Sequence, residues 1–185
     1  RVLEVVSGQS YEQFMQERLF DPLGMKDTTF WPSEEQVARL AKSYRPDKEK
    51  TKLEPFGIGQ LLYPLSDRRR RFPMPAGGLF STAGDTARFC QMLLNRGELG
   101  DRRYLSEAAV AKLTKRQTPE SVKNAYGLGL ALGPDWFGHG GAYATNMEIH
   151  PDKGLVLVWM VQHSGFVGEG GKAREVFRDQ ALKAP

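Results

Sequence analysis

One cysteine, Cys90, and three histidines are all that the 185 residues offer in thiolate or imidazole metal ligands. A single cysteine excludes an internal disulfide and any cysteine-cluster metal site. Its neighbours Ala87, Phe89, Leu93 and Leu94 follow a helical pattern, so Cys90 reads as a buried structural thiol. No His-Glu-x-x-His helix is present, which removes the commonest zinc-hydrolase signature, and His150 and His163 read as structural or exposed strand ends. The sequence implies no metal and no cofactor. Long apolar runs are also missing: the longest, Leu155 to Val161, falls far short of the roughly 20 residues that cross a bilayer. No secretory signal is legible at the start, because Arg1 leads at once into helix-like sequence with no small-residue cleavage site. No Met opens the chain, and its first residues read as the middle of a helix. Gly127, Gly129 and Gly133 miss the Gly-x-Gly-x-x-Gly spacing and lead into a turn, not a helix, which argues against a dinucleotide loop. Internal repeats and low-complexity tracts are absent.

The charge surplus is modest, a formal +4. It is concentrated in one place, Arg68-Arg69-Arg70-Arg71. That run is short and has no aromatic platform in sequence for stacking bases, so it reads as a solvated loop, with one arginine near an anionic substrate as its functional version. No nucleic-acid partner is expected. Hydrophobic residues make up 40% and charged residues 26%, a globular composition with enough apolar material for a core.

What is present is mostly helix signal in the first two thirds. Val2, Leu3, Val5 and Val6 suggest a helix ended by Gly8. Ser10 with Gln13 has capping-box spacing and opens a helix carrying Tyr11, Phe14, Met15 and Leu19 on one face, ended by Pro22 and Gly24. Ser33 with Gln36 repeats the cap for a short helix through Leu40. From Ser43 to Pro75 the pattern dissolves into proline, glycine and charge, a loop long enough to suggest function or disorder. Thr82 and Asp85 cap a helix to Asn95 with Phe89, Cys90, Leu93 and Leu94 inward, terminated by Gly97. Ser106 starts another, burying Val110 and Leu113.

The last third changes period. Tyr126, Leu128, Leu130 and Leu132 alternate with small residues, predicting a strand over Tyr126–Leu132. Pro134-Asp135 turns the chain into Trp136 to Gly141. Thr145–His150 and Leu155–His163 are strands joined by Pro151-Asp152-Lys153-Gly154, hence an antiparallel hairpin. The unbroken apolar run from Leu155 predicts helix cover on both faces. A final helix over Gly171–Leu182 offers Ala173, Val176 and Phe177. The expected fold class is α/β of the α+β type, an antiparallel sheet flanked by helices. Residues 1–125 are mainly helices and loops, and 126–185 are sheet strands and the C-terminal helix of the same unit.

Three segments in order resemble one family. Val6 to Tyr11, running through Leu19-Phe20-Asp21-Pro22-Leu23-Gly24-Met25-Lys26-Asp27-Thr28, is similar to a helix pair after that family's second catalytic motif. Pro75-Ala76-Gly77-Gly78-Leu79-Phe80-Ser81-Thr82-Ala83-Gly84-Asp85 is similar to a glycine-rich turn beside its substrate cleft. Gly138-His139-Gly140-Gly141-Ala142 resembles its third motif, Lys-Thr-Gly, often His-x-Gly in esterase-like branches. The family is that of the serine β-lactamases and penicillin-binding proteins, with class C β-lactamase, DD-peptidase and esterase relatives.

The resemblance implies a β-lactamase/transpeptidase-like fold, incomplete at its N-terminus, and serine acyl transfer on an ester, a β-lactam or a D-amino peptide. His139 takes the lysine position of the third motif, Gly141 its glycine, and the Ala142 N–H becomes the oxyanion donor. Gly140, Gly141, Tyr143, Gly77 and Gly78 are the implied substrate contacts. Histidine in place of lysine removes a fixed positive charge, which favours an esterase or broad hydrolase over an efficient β-lactamase. The other two motifs are missing. No Ser or Thr is followed three residues later by Lys, and Tyr143-Ala144-Thr145-Asn146 is one residue too long for Tyr-x-Asn. Both are therefore expected before Arg1, and the isolated chain is expected to be inactive. The expected partners are a small-molecule or peptidoglycan-like substrate and an N-terminal segment of the same unit, or self-association. The alternative is a non-catalytic module that keeps the fold to bind a peptide-like ligand or partner. A periplasmic or extracellular location follows from the resemblance alone.

Overall fold

A computed structural model describes residues 1–58, 63–65 and 67–184. Helix α1 (Val2–Ser7) ends at Gly8 in the left-handed region, φ 72°. Helix α2 (Tyr11–Met15) carries the expected reciprocal cap between Ser10 and Gln13. It does not continue as a regular helix. A π segment (Gln16–Phe20) follows, then α3 (Asp21–Leu23) with a left-handed Gly24. The extra residue of the π turn shifts the inward face. Tyr11, Met15 and Leu19 pack on the core as expected, while Phe20 and Leu23 are its fully buried members and Phe14 is not among them. Helix α4 (Glu34–Ala38) has the Ser33–Gln36 box and stops two residues before the expected Leu40.

The stretch from Ser43 to Pro75, patternless in sequence, contains a small hairpin of β1 (Tyr44–Pro46) and β2 (Leu53–Pro55). Three-residue strands are too short to show alternation. The turn is held by Asp47, whose carboxylate accepts from the Thr51 and Lys52 N–H groups at 2.8 and 3.2 Å.

Helix α5 (Ala83–Leu94) is the central helix, capped by the Thr82 side chain accepting from Asp85 N–H. Cys90, Met92 and Leu93 are buried. Burial pushes the Cys90 thiol up to about 12, so it stays protonated. A two-residue hairpin, β3 (Glu98–Leu99) with β4 (Arg102–Arg103), precedes α6 (Glu107–Thr114), which opens on the Ser106 cap and buries Val110.

The main sheet has four antiparallel strands in the order β5 (Ala131–Leu132), β6 (Phe137–Gly140), β7 (Asn146–His150) and β8 (Leu155–Trp159). The expected strand over Tyr126–Leu132 is a correction: only its last two residues belong to the sheet, with an isolated bridge from Tyr126 to Ala131. Its period of two came from glycines at alternate positions, and Gly129 turns the chain at φ 82°. The third strand is also shorter than expected, ending at Trp159; His163 instead bridges in parallel to Tyr44. The hairpin register, Ile149 opposite Val156 and Glu148 opposite Leu157, separates two faces.

Helix α5 packs on the face of Met147 and Ile149, where Cys90 Sγ lies 3.5 Å from Met147 Sδ. The other face carries α7 (Ala173–Lys183), entered through a 3₁₀ turn (Gly168–Lys172). Both faces of β8 thus have a helix, as its apolar run implied. Helix α7 buries no residue fully. Its contacts include Phe177 against Trp159, ring centroids 5.4 Å apart, Arg178 Nε donating to Glu148 at 2.8 Å and Arg174 Nη1 donating to Asn146 Oδ1 at 3.1 Å. His150, 1% exposed, sits beneath with Nε2 3.3 Å from the Glu148 carboxylate. It is a buried structural histidine, the first of the two readings its strand-end position allowed.

Candidate active-site cleft

Two glycine turns, more than sixty residues apart in sequence, face one another. The first begins at Met74, whose carbonyl accepts from Gly77 N–H at 3.1 Å, and Gly78 reverses the chain at φ 81°. Phe80 then pairs with Thr29 through bonds of 2.9 and 3.0 Å in both directions. The segment leads directly into the cap of α5, and one buried carboxylate fixes it there. Asp85 accepts from Asp27 N–H and from Thr28 Oγ1, both at 2.8 Å, while Thr28 Oγ1 lies 2.8 Å from Ser81 Oγ. Leu23 O takes a further bond from Arg88 Nε at 2.6 Å. This wall therefore owes its position to the α2–α3 segment and α5 together.

The second turn is the exit of β6. Gly141 N–H donates to Thr145 O at 2.8 Å and Ala144 N–H to Gly141 O at 3.1 Å, with Ala144 left-handed at φ 64°. A Cβ on Gly141 would lie 2.2 Å from Thr145 Oγ1, so the turn requires glycine at this position. Tyr143 packs on Phe56 at 5.8 Å between ring centroids, and its carbonyl accepts from His163 N–H at 3.1 Å.

Between these turns lies a cleft of about 230 Å³. Ala76, Gly77, Gly78, Leu79 and Phe80 form one side; Gly141, Ala142, Tyr143 and Thr145 form the other; Ile58 and Gln162 close it. Gln162 is held by its amide donating to Ser43 Oγ at 3.2 Å. Of the residues singled out from sequence, Gly77, Gly78, Gly141, Ala142 and Tyr143 therefore meet in one cavity. The Ala142 N–H has no acceptor among the described residues, in contrast to Gly141 and Ala144 on either side of it in the same turn.

His139 and Gly140 precede the cleft on β6 and do not line it. His139 is exposed, with its ring edge-on to Tyr126 at 6.0 Å. Its Nδ1 lies 2.6 Å from Gly140 O. A carbonyl only accepts, so Nδ1 carries the proton and Nε2 of the neutral ring is left as an acceptor. Here β6 is flanked by β5 at Phe137–Gly138 and is open on that side at His139–Gly140, because β5 is only two residues long.

Ile58, Ala76, Leu79, Phe80, Thr145 and Gln162 were not anticipated as cleft residues. Phe80 lies inside the glycine-turn segment that drew attention, whereas Ile58 and Gln162 stand in loops with no spacing signal. A larger hollow of about 420 Å³ between α5 and α6, floored by Leu93, Val110 and Phe137, contains none of the sequence candidates. Among the described residues no group of three His, Cys, Asp or Glu side chains is placed to hold a metal ion, and no helix is long and apolar enough to cross a membrane.

An antiparallel sheet between a central helix and a C-terminal helix, with a glycine turn opposite a His-x-Gly strand exit, is the arrangement of the β-lactamase/transpeptidase class. The Beta-lactamase family model matches residues 1–181, and the chain belongs to that family. Among curated proteins it is 30% identical to penicillin-binding protein 4 of Amycolatopsis lactamdurans, covering 97% of this chain and 46% of that protein. It is 29% identical to the D-alanyl-D-alanine-carboxypeptidase/endopeptidase AmpH of Escherichia coli (strain K12), covering 85% of this chain and 41% of that protein. The chain thus spans less than half the length of these relatives. Among solved structures, the octameric penicillin-binding protein homologue from Pyrococcus abyssi superposes with a TM-score of 0.67 at 25% identity, over 96% of this chain and 40% of that one. Unliganded simvastatin synthase (LovD) from Aspergillus terreus, as its selenomethionyl derivative, gives 0.77 at 19% identity, over 97% and 51%, a likeness of fold.

Proposed function

We propose that this chain is part of a serine hydrolase, that it carries both glycine-turn walls of the substrate cleft, and that the enzyme performs acyl transfer on an ester, a β-lactam or a D-amino peptide. The observation that carries the reading is the meeting of Gly77–Gly78 with Gly141–Tyr143 across one small cavity. In this reading the Ala142 N–H, unpartnered among the described residues, donates to the oxygen on which negative charge develops as the carbonyl is attacked. Glycines at 77, 78 and 141 let substrate lie against backbone, with Gly140 leading the strand into the turn, and Tyr143 flanks the acyl group. His139, with Nε2 as the free acceptor, acts at the lysine position of the third motif by accepting a proton or a hydrogen bond from the reacting groups. The serine nucleophile and its lysine are assigned to sequence beyond these 185 residues, because no Ser-x-x-Lys or Tyr-x-Asn occurs within them. Family membership and the names of the penicillin-binding and carboxypeptidase relatives favour a peptidoglycan-like substrate, while histidine at the lysine position favours neutral esters.

The test compares two proteins with a chromogenic ester and a fluorescent penicillin. The 185-residue chain alone should give no burst and no covalent label. A longer form that contains Ser-x-x-Lys should turn over the ester, and His139→Ala in that form should lower kcat/KM at least tenfold, about 1.4 kcal/mol of transition-state stabilisation. His150→Ala should spare the chemistry. Stoichiometric labelling of a serine in the 185-residue chain, or full activity of His139→Ala, would overturn the assignment. A degraded Ser-x-x-Lys with retained ligand binding would favour the non-catalytic binding module.

A further inference from the structure

The cleft makes no use of the run Arg68 to Arg71. A single turn organises it: Asp67 N–H donates to Pro64 O at 3.0 Å, and Arg71 N–H donates to Asp67 O at 3.1 Å. The turn sorts the four guanidiniums. Arg71 points inward, donating to Leu65 O at 2.9 Å and Phe30 O at 3.3 Å. Arg68 and Arg71 both stand over the Trp31 ring, at 5.6 and 5.0 Å from its centroid. Arg70 pairs with Asp67 at 2.6 Å and lies 4.6 Å over Tyr63. The aromatic platforms missing from the local sequence are thus supplied by Trp31 and Tyr63. Arg69 is exposed. Phe72, directly after Arg71, is 71% exposed, for a residue type that is ordinarily buried. Among the described residues the loop's salt bridge is Arg70 with Asp67, and Glu34 lies on the adjoining groove of Val37 and Leu65. Four arginines against two carboxylates leave a positive surface with an outward phenyl ring at its edge.

We propose that this loop is a peripheral docking surface for an anionic lipid bilayer. Arg68 and Arg69 meet lipid phosphates while Phe72 enters the interfacial layer. Charge alone would suit any polyanion, and a run of arginines is by itself an ordinary solvated face. The exposed ring is what favours a membrane over a sulfated or phosphorylated polyanion without bases: it finds nothing to pack on there and leaves water on entering the lipid interface. Arg70 and Arg71, tied to Asp67 and to two carbonyls, hold the turn in shape.

The experiment is co-sedimentation of the 185-residue chain with phosphatidylcholine vesicles, with and without about one third phosphatidylglycerol. Binding should require the anionic lipid and should disappear at about 0.5 M salt, where the screening length falls to a few ångströms. Arg68→Ser with Arg69→Ser should weaken partitioning by roughly 25-fold, about fivefold for each charge. Phe72→Ser should weaken it severalfold with no change in salt dependence. An unchanged thermal midpoint identifies each variant as folded. Equal binding to neutral vesicles, or variants that partition like the parent, would overturn the proposal. Tight binding to dextran sulfate that Phe72→Ser leaves untouched, without vesicle binding, would overturn it in favour of a soluble polyanion.

Discussion

At the scale of single residues, the turn after β6 shows how a short motif is enforced. Gly141 is followed by Ala142, whose N–H has no partner among the described residues, and the bond from Gly141 N–H to Thr145 O closes the loop that presents it. The sequence reading reached this turn through its resemblance to a known motif, whose glycines stand out without any structure. It did not reach Thr145, whose hydroxyl is what forbids a side chain at 141. Gly141→Ala should therefore destabilise the chain by about 1–3 kcal/mol through overpacking, because Thr145 is stiff at χ1 and has little room to give. Removing the hydroxyl as well, with Thr145→Ala, should recover most of that loss. A double-mutant cycle from urea midpoints measures it. Strictly additive losses would place the strain elsewhere in the turn.

At the scale of elements, what was legible depended on length and on local chemistry. Ser10, Ser33, Thr82 and Ser106 each cap the helix that their spacing announced, because a cap is decided within four residues. The β7–β8 hairpin was legible for the same reason. The β1–β2 and β3–β4 hairpins were not, since strands of two or three residues carry no period. The strand expected over Tyr126–Leu132 was over-read from alternating glycines. Nor does any local signal announce Asp85 as a clamp. Its carboxylate is 8% exposed and reaches 58 residues back to Asp27 N–H and on to Thr28 Oγ1. That clamp joins α5 to the segment after α3 and so sets one wall of the cleft. Asp85→Ala should cost roughly 1–3 kcal/mol, because it strands the Asp27 amide and leaves Thr28 Oγ1 with Ser81 as its one partner among the described residues. Asp85→Asn, which keeps one acceptor oxygen, should cost less. Urea unfolding of both checks the order; equal costs would mean that the carboxylate's charge in the first turn of α5, not the clamp, carries the effect.

At the scale of the molecule, the sheet is covered on its faces and open along one side. Strand β8 stands at the end of the order β5-β6-β7-β8, and its outer edge over Leu155–Trp159 has no ladder partner among the described residues. Helix α1 presents Val2, Val5 and Val6 at 80, 67 and 82% exposure, which is apolar surface that a lone small chain seldom leaves in water. Unpaired strand edges and bare apolar helices both favour association. The chain made alone should therefore sediment above its monomer mass of 20.7 kDa, increasingly so with concentration. Two variants separate the causes. Val2→Lys with Val6→Lys removes the apolar face, and Val158→Lys puts a charge into the edge strand, where pairing with another chain tolerates it least. If the first restores a monomer, the helix drives association; if only the second does, the strand edge does. A parent chain that stays monomeric at high concentration and unfolds cooperatively would show that the four strands and their two helices already form a closed structure.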